Sequence, residues 1–277
     1  MTQTGHIDPR AFHDFEQTGW QRAAPYYQST FGTLTRQTAE SLVDAVEVRV
    51  GTSVLDVATG PGSVAGVAAS RGARVVGVDF SRRMVDEARR RQPAVTLVEG
   101  DAEALGFLAA CFDAVVMNFG LLHLARPEAA IAESYRVLAP GGRYAFTVWC
   151  PPDQAVGFGI VLRAMETCGT TDVGLPEGPP FFRFSDEGES RDALARAGFV
   201  DVRVRTLPLV WQLPSADALF AAALHGGVRT SAALQAQTPP ALDAIHRAVV
   251  AGLQPYANGL GVAIPMPAVL ASGTKAG

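Results

Sequence analysis

Cysteine is scarce in this sequence. Three stand far apart, Cys111, Cys150 and Cys168. An odd, dispersed set without a CxxC pair supports neither a disulfide framework nor a zinc site, so no metal is expected. Charge is thin as well: 18% of the residues are charged, 48% are apolar, and the net charge is −4 over 277 residues. Such a chain folds rather than staying disordered, and it is long enough for a large core. Long basic stripes interleaved with aromatics are missing, which argues against nucleic acid as a partner. Basic residues do gather at Arg82, Arg83, Arg89, Arg90 and Arg91, a spacing that reads as a solvated helix face. No apolar run reaches the length of a bilayer, and the opening "MTQTGHIDPRAFHDF" has no apolar secretory segment. The expectation is a cytoplasmic protein without a membrane partner. Internal repeats and low-complexity segments are missing too.

What is present is alternation. Residues 11–50 read as helical, with Ala39, Leu42, Val43 and Val46 at helical spacing. Then "SVLDVAT" is a strand, "SVAGVAASRG" a helix closed by Gly72, "RVVGVDF" a strand and "SRRMVDEARRR" a helix with Ser81 as its N-cap. "VTLVEGD" and "FDAVVMNFG" are strands, "PEAAIAESYRVLAP" is a helix, and "GGRYAFTVW" is a fifth strand. The strands are apolar almost throughout, as in a sheet covered on both faces. Strands alternating with helices predict a parallel α/β sheet wound through right-handed crossovers. Beyond Trp149 come a helix at "GFGIVLRAMETCG", a Gly/Pro-rich loop over 169–184, a helix at "SDEGESRDALARAGF" and a sixth strand at "VDVRVRTLPLVW". Residues 215–257 read as mostly helical, and "GVAIPMPAVLASGTK" as a last strand with Pro265 and Pro267 near its start.

The first strand ends at Asp56 and runs into a turn with Gly60 and Gly62 before the helix. Glycine lets the backbone lie against a ligand and present N–H groups at a helix start. A dinucleotide fingerprint wants a third glycine where Ala65 stands. Asp79 closes the second strand, 17 residues after Gly62, where an acid accepts hydrogen bonds from ribose hydroxyls. To this point NAD and other adenosine cofactors fit equally. Asp56 separates them, since a carboxylate beside the turn repels a pyrophosphate but helps hold an ammonium group, directly or through water. Asp101 and Ala102 end the third strand, where an adenine amino group would be met, and Asn118 and Phe119 end the fourth. An adenosine with an amino-acid tail suits this set better than a dinucleotide.

The segments "VLDVATGPGSVAG", "VVGVDFS", "EGDAEAL", "FDAVVMNFGLLHL" and "VLAPGGRYAFTVW", in this order over residues 54–149, resemble the successive motifs of the class I S-adenosylmethionine-dependent methyltransferases. The whole chain is similar to their small-molecule branch, the one containing ubiquinone-biosynthesis and natural-product enzymes. The resemblance implies a Rossmann-like, seven-stranded, mostly parallel sheet with the last strand antiparallel, helices on both faces and a helical lid. It implies one domain over 1–277: a helical cover at 1–50, a cofactor-binding core at 51–150, lid insertions at 151–184 and 215–257, and closing strands at 199–212 and 261–274. Carried over by motif, Asp56, Ala58, Gly60 and Gly62 would surround the methionine part of S-adenosyl-L-methionine. Asp79 would hold the ribose, with Phe80 and Met84 beside the adenosine, and Asp101 and Ala102 would meet the adenine. Asn118 and Phe119 would form the floor below the sulfonium. Tyr27, in "GWQRAAPYYQSTF", would cover the cofactor. The product would be S-adenosyl-L-homocysteine.

A sulfonium methyl is already electrophilic, so the protein need mainly hold the acceptor in line. A base is needed only if the nucleophile must lose a proton early. His123, just past the fourth strand, is the candidate catalytic residue, and His225 in the lid is the second choice. His6, His13 and His246 stand without supporting context. The lid carries Phe158, Ile160, Leu219, Phe220 and Leu224 with few charges, which suggests a small apolar or aromatic acceptor. The expected activity is methyl transfer to an O, N or C atom of such a molecule in secondary metabolism. The partners expected are that acceptor and a second copy in a homodimer. Two alternatives stay open: a methyltransferase-like enzyme that performs a cyclisation without methyl transfer, and a cofactor-sensing binding module. An NAD oxidoreductase is disfavoured further by the want of a Tyr-x-x-x-Lys pair.

Overall fold

The computed structural model describes residues 7–277. Helices α1 (Pro9–Tyr27), α2 (Phe31–Thr35) and α3 (Ala39–Ala45) precede β1 (Ser53–Val57). Then come α4 (Ser63–Ser70), β2 (Arg74–Asp79), α5 (Arg82–Arg91), β3 (Thr96–Glu99), β4 (Phe112–Asn118), α6 (Pro127–Val137) and β5 (Leu138–Trp149). Next are α7 (Val156–Cys168), α8 (Glu187–Arg196), β6 (Phe199–Leu207), β7 (Val210–Leu213) and α9 (Ala216–His225). The last are α10 (Arg229–Gln235), α11 (Pro239–Gly252), β8 (Val262–Pro265) and β9 (Ala268–Lys275). Among the described residues no helix is long and apolar enough to cross a membrane. The chain divides into two compact units.

The sheet unit comprises Thr35–Trp149, Gly178–Leu207 and Val269–Gly277. Its seven strands run in the order β3-β2-β1-β4-β5-β9-β6, mostly parallel with one antiparallel strand. The parallel register sets Val54 of β1 opposite Val75 of β2 on one side and Ala114 of β4 on the other. Val54, Leu55 and Val57 are fully buried, as are Ala114, Val115, Val116 and Met117. These central strands need apolar side chains on both faces because helices cover both. Each Val or Leu so buried contributes about 1.5–3 kcal/mol. Ser81 caps α5 by accepting from the Met84 N–H. The arginines of α5 pair along the helix, Arg89 with Asp86 at 3.0 Å and Arg90 with Glu87, so the basic run is a solvated face as its spacing implied.

Three boundaries differ from the sequence expectation. The run 199–212 is not one strand: Leu207 ends β6, and β7 begins at Val210 in a separate two-stranded sheet. Pro208 has no N–H to continue a ladder and stands at the break. The run 261–274 is divided in the same way. β8 ends at Pro265 and pairs antiparallel with β7, Trp211 opposite Ile264, whereas β9 starts after Pro267 and enters the large sheet between β5 and β6. Finally, α6 stops at Val137, and Leu138 to Pro140 already belong to β5.

The helical unit comprises the described residues up to Leu34 with Cys150–Glu177 and Pro208–Ala268. Thr238 caps α11 by accepting from the Ala241 N–H, and prolines occupy its first positions, where no helical N–H is needed. Its core includes Phe12, Leu34, Trp211, Ile245, Val249 and Met266. The Trp211 indole N–H donates to the Thr33 hydroxyl at 2.9 Å, and the Phe31 ring lies 4.8 Å from Trp211 and 6.0 Å from Phe158. The fully buried Glu16 pairs with Arg229 at 3.0 Å, and that guanidinium also lies over the Phe12 ring. Most of the two segments expected as lid insertions falls in this unit, and residues 178–184 fall in the sheet unit.

Candidate functional site

The sheet unit places the sequence-derived candidates along the C-terminal ends of β1, β2, β3 and β4. Open α/β sheets bind their ligands at this edge. Beyond β1 the chain turns through left-handed backbone at Ala58 (φ 54°), Gly60 (φ 53°) and Gly62 (φ 81°) before α4 begins. Ala58 holds a conformation that costs a residue with a β-carbon about 1–2 kcal/mol. The glycines differ in purpose. A β-carbon at Gly60 would meet nothing within 4 Å, so the backbone there faces open space. One at Gly62 would come within 2.9 Å of the Gln92 side chain. Gly62 is therefore small so that α4 can start close to the C-terminal end of α5, a packing requirement beyond the ligand access expected from sequence.

Two buried carboxylates organise the turn. Asp56 is 1% exposed, and its Oδ2 accepts from the Thr59 hydroxyl at 2.7 Å and the Ala65 N–H at 2.9 Å. Its Oδ1 is buried without a partner. Burial outweighs the two hydrogen bonds and lifts this carboxyl from 3.8 to about 7. Asp79 accepts from the Gly60 N–H at 2.9 Å and the Ser81 N–H at 2.8 Å, one on each oxygen. It thus ties the glycine turn to the start of α5, and burial raises it to about 6. Each Asp79 oxygen keeps a further lone pair for a ligand hydroxyl. Phe80 beside it is half-buried, and Met84 is buried on the first turn of α5.

The end of β3 is joined to this group by the Gly100 N–H, which donates to the Asp79 carbonyl at 3.0 Å. Asp101 then folds over the backbone, its Oδ1 accepting from the Glu103 N–H at 2.8 Å, with Ala102 buried between them. Glu103, which sequence reasoning missed, is buried and holds Arg126: Oε1 accepts from its N–H and Oε2 from its Nε, both at 2.8 Å. The loop after β3 is thereby clasped to the segment that follows His123.

At the end of β4 the side chain of Asn118 is engaged by the scaffold. Its Oδ1 accepts from the Thr38 hydroxyl at 2.7 Å and the Thr147 hydroxyl at 2.6 Å, and its Nδ2 donates to the Thr35 carbonyl at 3.1 Å. The sequence signals nothing of these threonines, because they lie 29 or more residues away along the chain. Phe119 has left-handed backbone (φ 53°), and its ring stacks on Trp149 at 3.9 Å. A bulky residue in that conformation is strained, and such strain collects at functional sites. His123 ends a short 3₁₀ turn, half-buried, with its ring edge-on to Phe181 at 5.7 Å.

The remaining candidates belong to the helical unit. Tyr27 closes α1, with its ring edge-on to Trp20 at 5.5 Å. His225 is exposed at the end of α9, 5.2 Å from the Tyr26 ring. His246, which sequence reasoning left without context, has Nε2 2.7 Å from Asp217 and stacks on Phe220 at 4.4 Å. His13 faces Asp14 at 3.5 Å, and His6 lies outside the described residues.

The carboxylates and the turn fit a cationic adenosine ligand. An orphaned, buried oxygen on Asp56 lacks a donor, and an ammonium, directly or through a bridging water, supplies one; a pyrophosphate supplies only further negative charge. The same turn leaves open space in front of Gly60. Fold and site together define a methyltransferase of the Rossmann-like kind, and comparison with known proteins agrees. Residues 55–146 match the family described as "Methyltransferase domain". The chain is 33% identical over 197 residues to the demethylmenaquinone methyltransferase of Renibacterium salmoninarum, covering 66% of this chain and 83% of that protein. It is 32% identical over 227 residues to the nocamycin O-methyltransferase of Saccharothrix syringae, covering 76% and 81%. In fold it is similar to phosphoethanolamine N-methyltransferase 2 of Haemonchus contortus, solved with S-adenosyl-L-methionine. The TM-score is 0.59 at 18% identity, over 96% of this chain and 60% of that one. The chain belongs to the class I S-adenosylmethionine-dependent methyltransferases, and S-adenosyl-L-methionine is its cofactor.

Proposed function

We propose that the methyl acceptor is a small apolar or aromatic molecule of secondary metabolism, methylated at an O, N or C atom. The observation that carries this reading is the reach of the similarity. Likeness to an O-methyltransferase named for nocamycin spans 76% of the chain, far beyond the family match at 55–146. A second set of relatives is named for demethylmenaquinone. Within the sheet unit, Phe181 beside His123 supports an aromatic surface next to the candidate base.

The bound cofactor supplies an electrophilic methyl group. The chain's own residues do the rest in this reading. Asp79 accepts the ribose hydroxyls, Asp56 answers the ammonium, and the left-handed turn lets the backbone at Gly60 lie close to the ligand. Asp101 and Ala102 meet the adenine, and Phe80 and Met84 pack beside the adenosine. Phe119 forms its floor, while Asn118 fixes where that floor stands. His123 takes a proton from a phenol or an activated carbon acid; a neutral amine would need no such help.

Incubation of candidate acceptors with the cofactor, read by mass spectrometry, tests the proposal. A gain of about 14 daltons with formation of S-adenosyl-L-homocysteine is expected. A product of unchanged mass would replace methyl transfer by the cyclisation reading. His123→Ala at saturating cofactor is expected to lose about 10²–10⁴ in rate. Turnover within threefold of the parent would make His123 structural.

A further inference from the structure

The sheet unit has a second concavity, at the opposite ends of its strands. A cavity of about 430 Å³ is lined by Arg143 of β5, Asp201, Arg203 and Arg205 of β6, and Ser272 and Thr274 of β9. Arg143 stands in register with Ala114 of β4, and Ala114 with Val54 of β1. Both partners sit near the start of their strands, whereas Asp56, Asp79 and Asn118 sit at or near the ends. The cavity therefore lies at the N-terminal edge of the sheet, away from the glycine turn.

Three acids and three arginines line it, but they are unevenly paired. Two of the lining acids already have partners: Glu47 holds Arg143 at 2.9 Å, and Asp44 holds Arg71 at 2.6 Å. Among the described residues, Arg203 and Arg205 make no ion pair or side-chain hydrogen bond. Two residues apart on one strand, they place their α-carbons about 7 Å from each other. Ser272 is only 9% exposed, and its hydroxyl has no protein partner. That hydroxyl oxygen is not sealed off from solvent, so a ligand entering the cavity can meet it.

We infer that this cavity is a second ligand site, which takes a small molecule with two anionic groups, phosphate or carboxylate. Adjacent guanidinium forks each suit one such group bidentately, and adjacent cations repel until an anion lies between them. Ser272 and Thr274 add neutral donors on the facing strand. The volume falls within the range of about 300–1,000 Å³ usual for small-ligand pockets. Asp201 offsets part of the guanidinium charge, so its neutralisation should strengthen anion binding. The competing account is that these charges merely guard β6, an edge strand, against pairing with another sheet. That account requires no saturable binding.

Calorimetry on the full chain, with sodium pyrophosphate and with succinate at constant ionic strength, separates the two. The expected result is one saturable site for at least one anion, weakened at least tenfold in the Arg203→Ala/Arg205→Ala double variant and a few-fold in Ser272→Ala. Tighter binding of pyrophosphate would identify phosphate as the natural group, and tighter binding of succinate would identify carboxylate. Affinity for S-adenosyl-L-homocysteine should stay within twofold, which also certifies the fold. If the double variant does not fold, Asp201→Asn takes its place and should tighten the anion at least threefold. Absence of saturable binding up to about 10 mM of either anion, equal binding by parent and double variant, or no change in Asp201→Asn would overturn the inference.

Discussion

The ends of β1 and β2 and the end of β4 lie along one edge of the same sheet, yet they are finished differently. At β1 and β2 the polar groups keep open valences: Asp56 has an orphaned oxygen, and Asp79 has one N–H on each oxygen and room for more. At β4, both lone pairs of the Asn118 carbonyl are taken by Thr38 and Thr147. Both carboxyls are pushed up toward neutrality by burial. Unsatisfied polar groups in a well-packed interior mark where a ligand completes the structure, and satisfied ones mark what holds that place rigid. The same strand-end position thus serves recognition at one place and support at another.

Four measurements break or sharpen this contrast. The largest effect is expected for Asp79→Asn, which keeps the shape but loses the charge. Two hydrogen bonds to a charged group, at about 1.5–3 kcal/mol each, imply at least about 100-fold weaker cofactor binding by calorimetry. Unchanged affinity in a folded variant would erase the distinction. Asn118→Ala should do the reverse. It leaves the Thr147 hydroxyl without its acceptor and takes one donor from the Thr35 carbonyl, which keeps the Thr38 hydroxyl, so stability should fall by about 1–3 kcal/mol, and the melting temperature by about 3–10 °C. Cofactor affinity should then change less than threefold.

The third measurement is pH. Because the folded protein holds protons on Asp56 and Asp79 more tightly than an unfolded chain with ordinary values of 3.8, these groups stabilise the unliganded fold most below about pH 4. That contribution is lost as pH rises through about 6 for Asp79 and about 7 for Asp56. A cationic ligand prefers the ionised carboxylates, so cofactor affinity should rise about tenfold between about pH 5.5 and 7.5. Asp56→Asn should flatten the upper part of that rise. The smallest effect belongs to Gly60→Ala, which adds strain at φ 53° and should cost about 1 kcal/mol of stability. It also projects a methyl group into the open space, so cofactor affinity should drop by more than the stability loss explains.

How much of this was legible in the sequence follows from how local each feature is. The glycine turn, Asp56, Asp79 and Asp101 lie in short segments where strand, turn and helix signals adjoin, and the structure brings those segments to one edge. The role of Gly62 was only half legible, since the turn is local but the clash with Gln92 comes from 30 residues further on. The threonines around Asn118, the Glu103–Arg126 clasp and the His246–Asp217 pair were not legible, because each joins residues whose separation carries no periodic signal. The closing strands were read as single runs because β propensity continues through Leu209 and Met266. Pro265 and Pro267 were read as tolerated near a strand start rather than as a break, and Pro208 was passed over inside its run. The cavity at the far edge could not be read at all, because it needs three strands in register.

The position of β9 has a consequence for synthesis. Ala268–Lys275 is the last strand in chain order, yet it lies inside the sheet, between β5 and β6. The helical unit likewise joins the chain before Leu34 to a segment ending at Ala268. Neither unit can therefore be finished until residues 268–275 have left the ribosome, whatever the earlier part of the chain has formed. Until β9 inserts, β5 and β6 each present an unpaired edge, and many contacts that close the fold span more than a hundred residues. Such long closures are slow and leave strand edges open to other chains. Removal of residues 268–277 should thus yield a protein that collects in inclusion bodies, not a shortened enzyme.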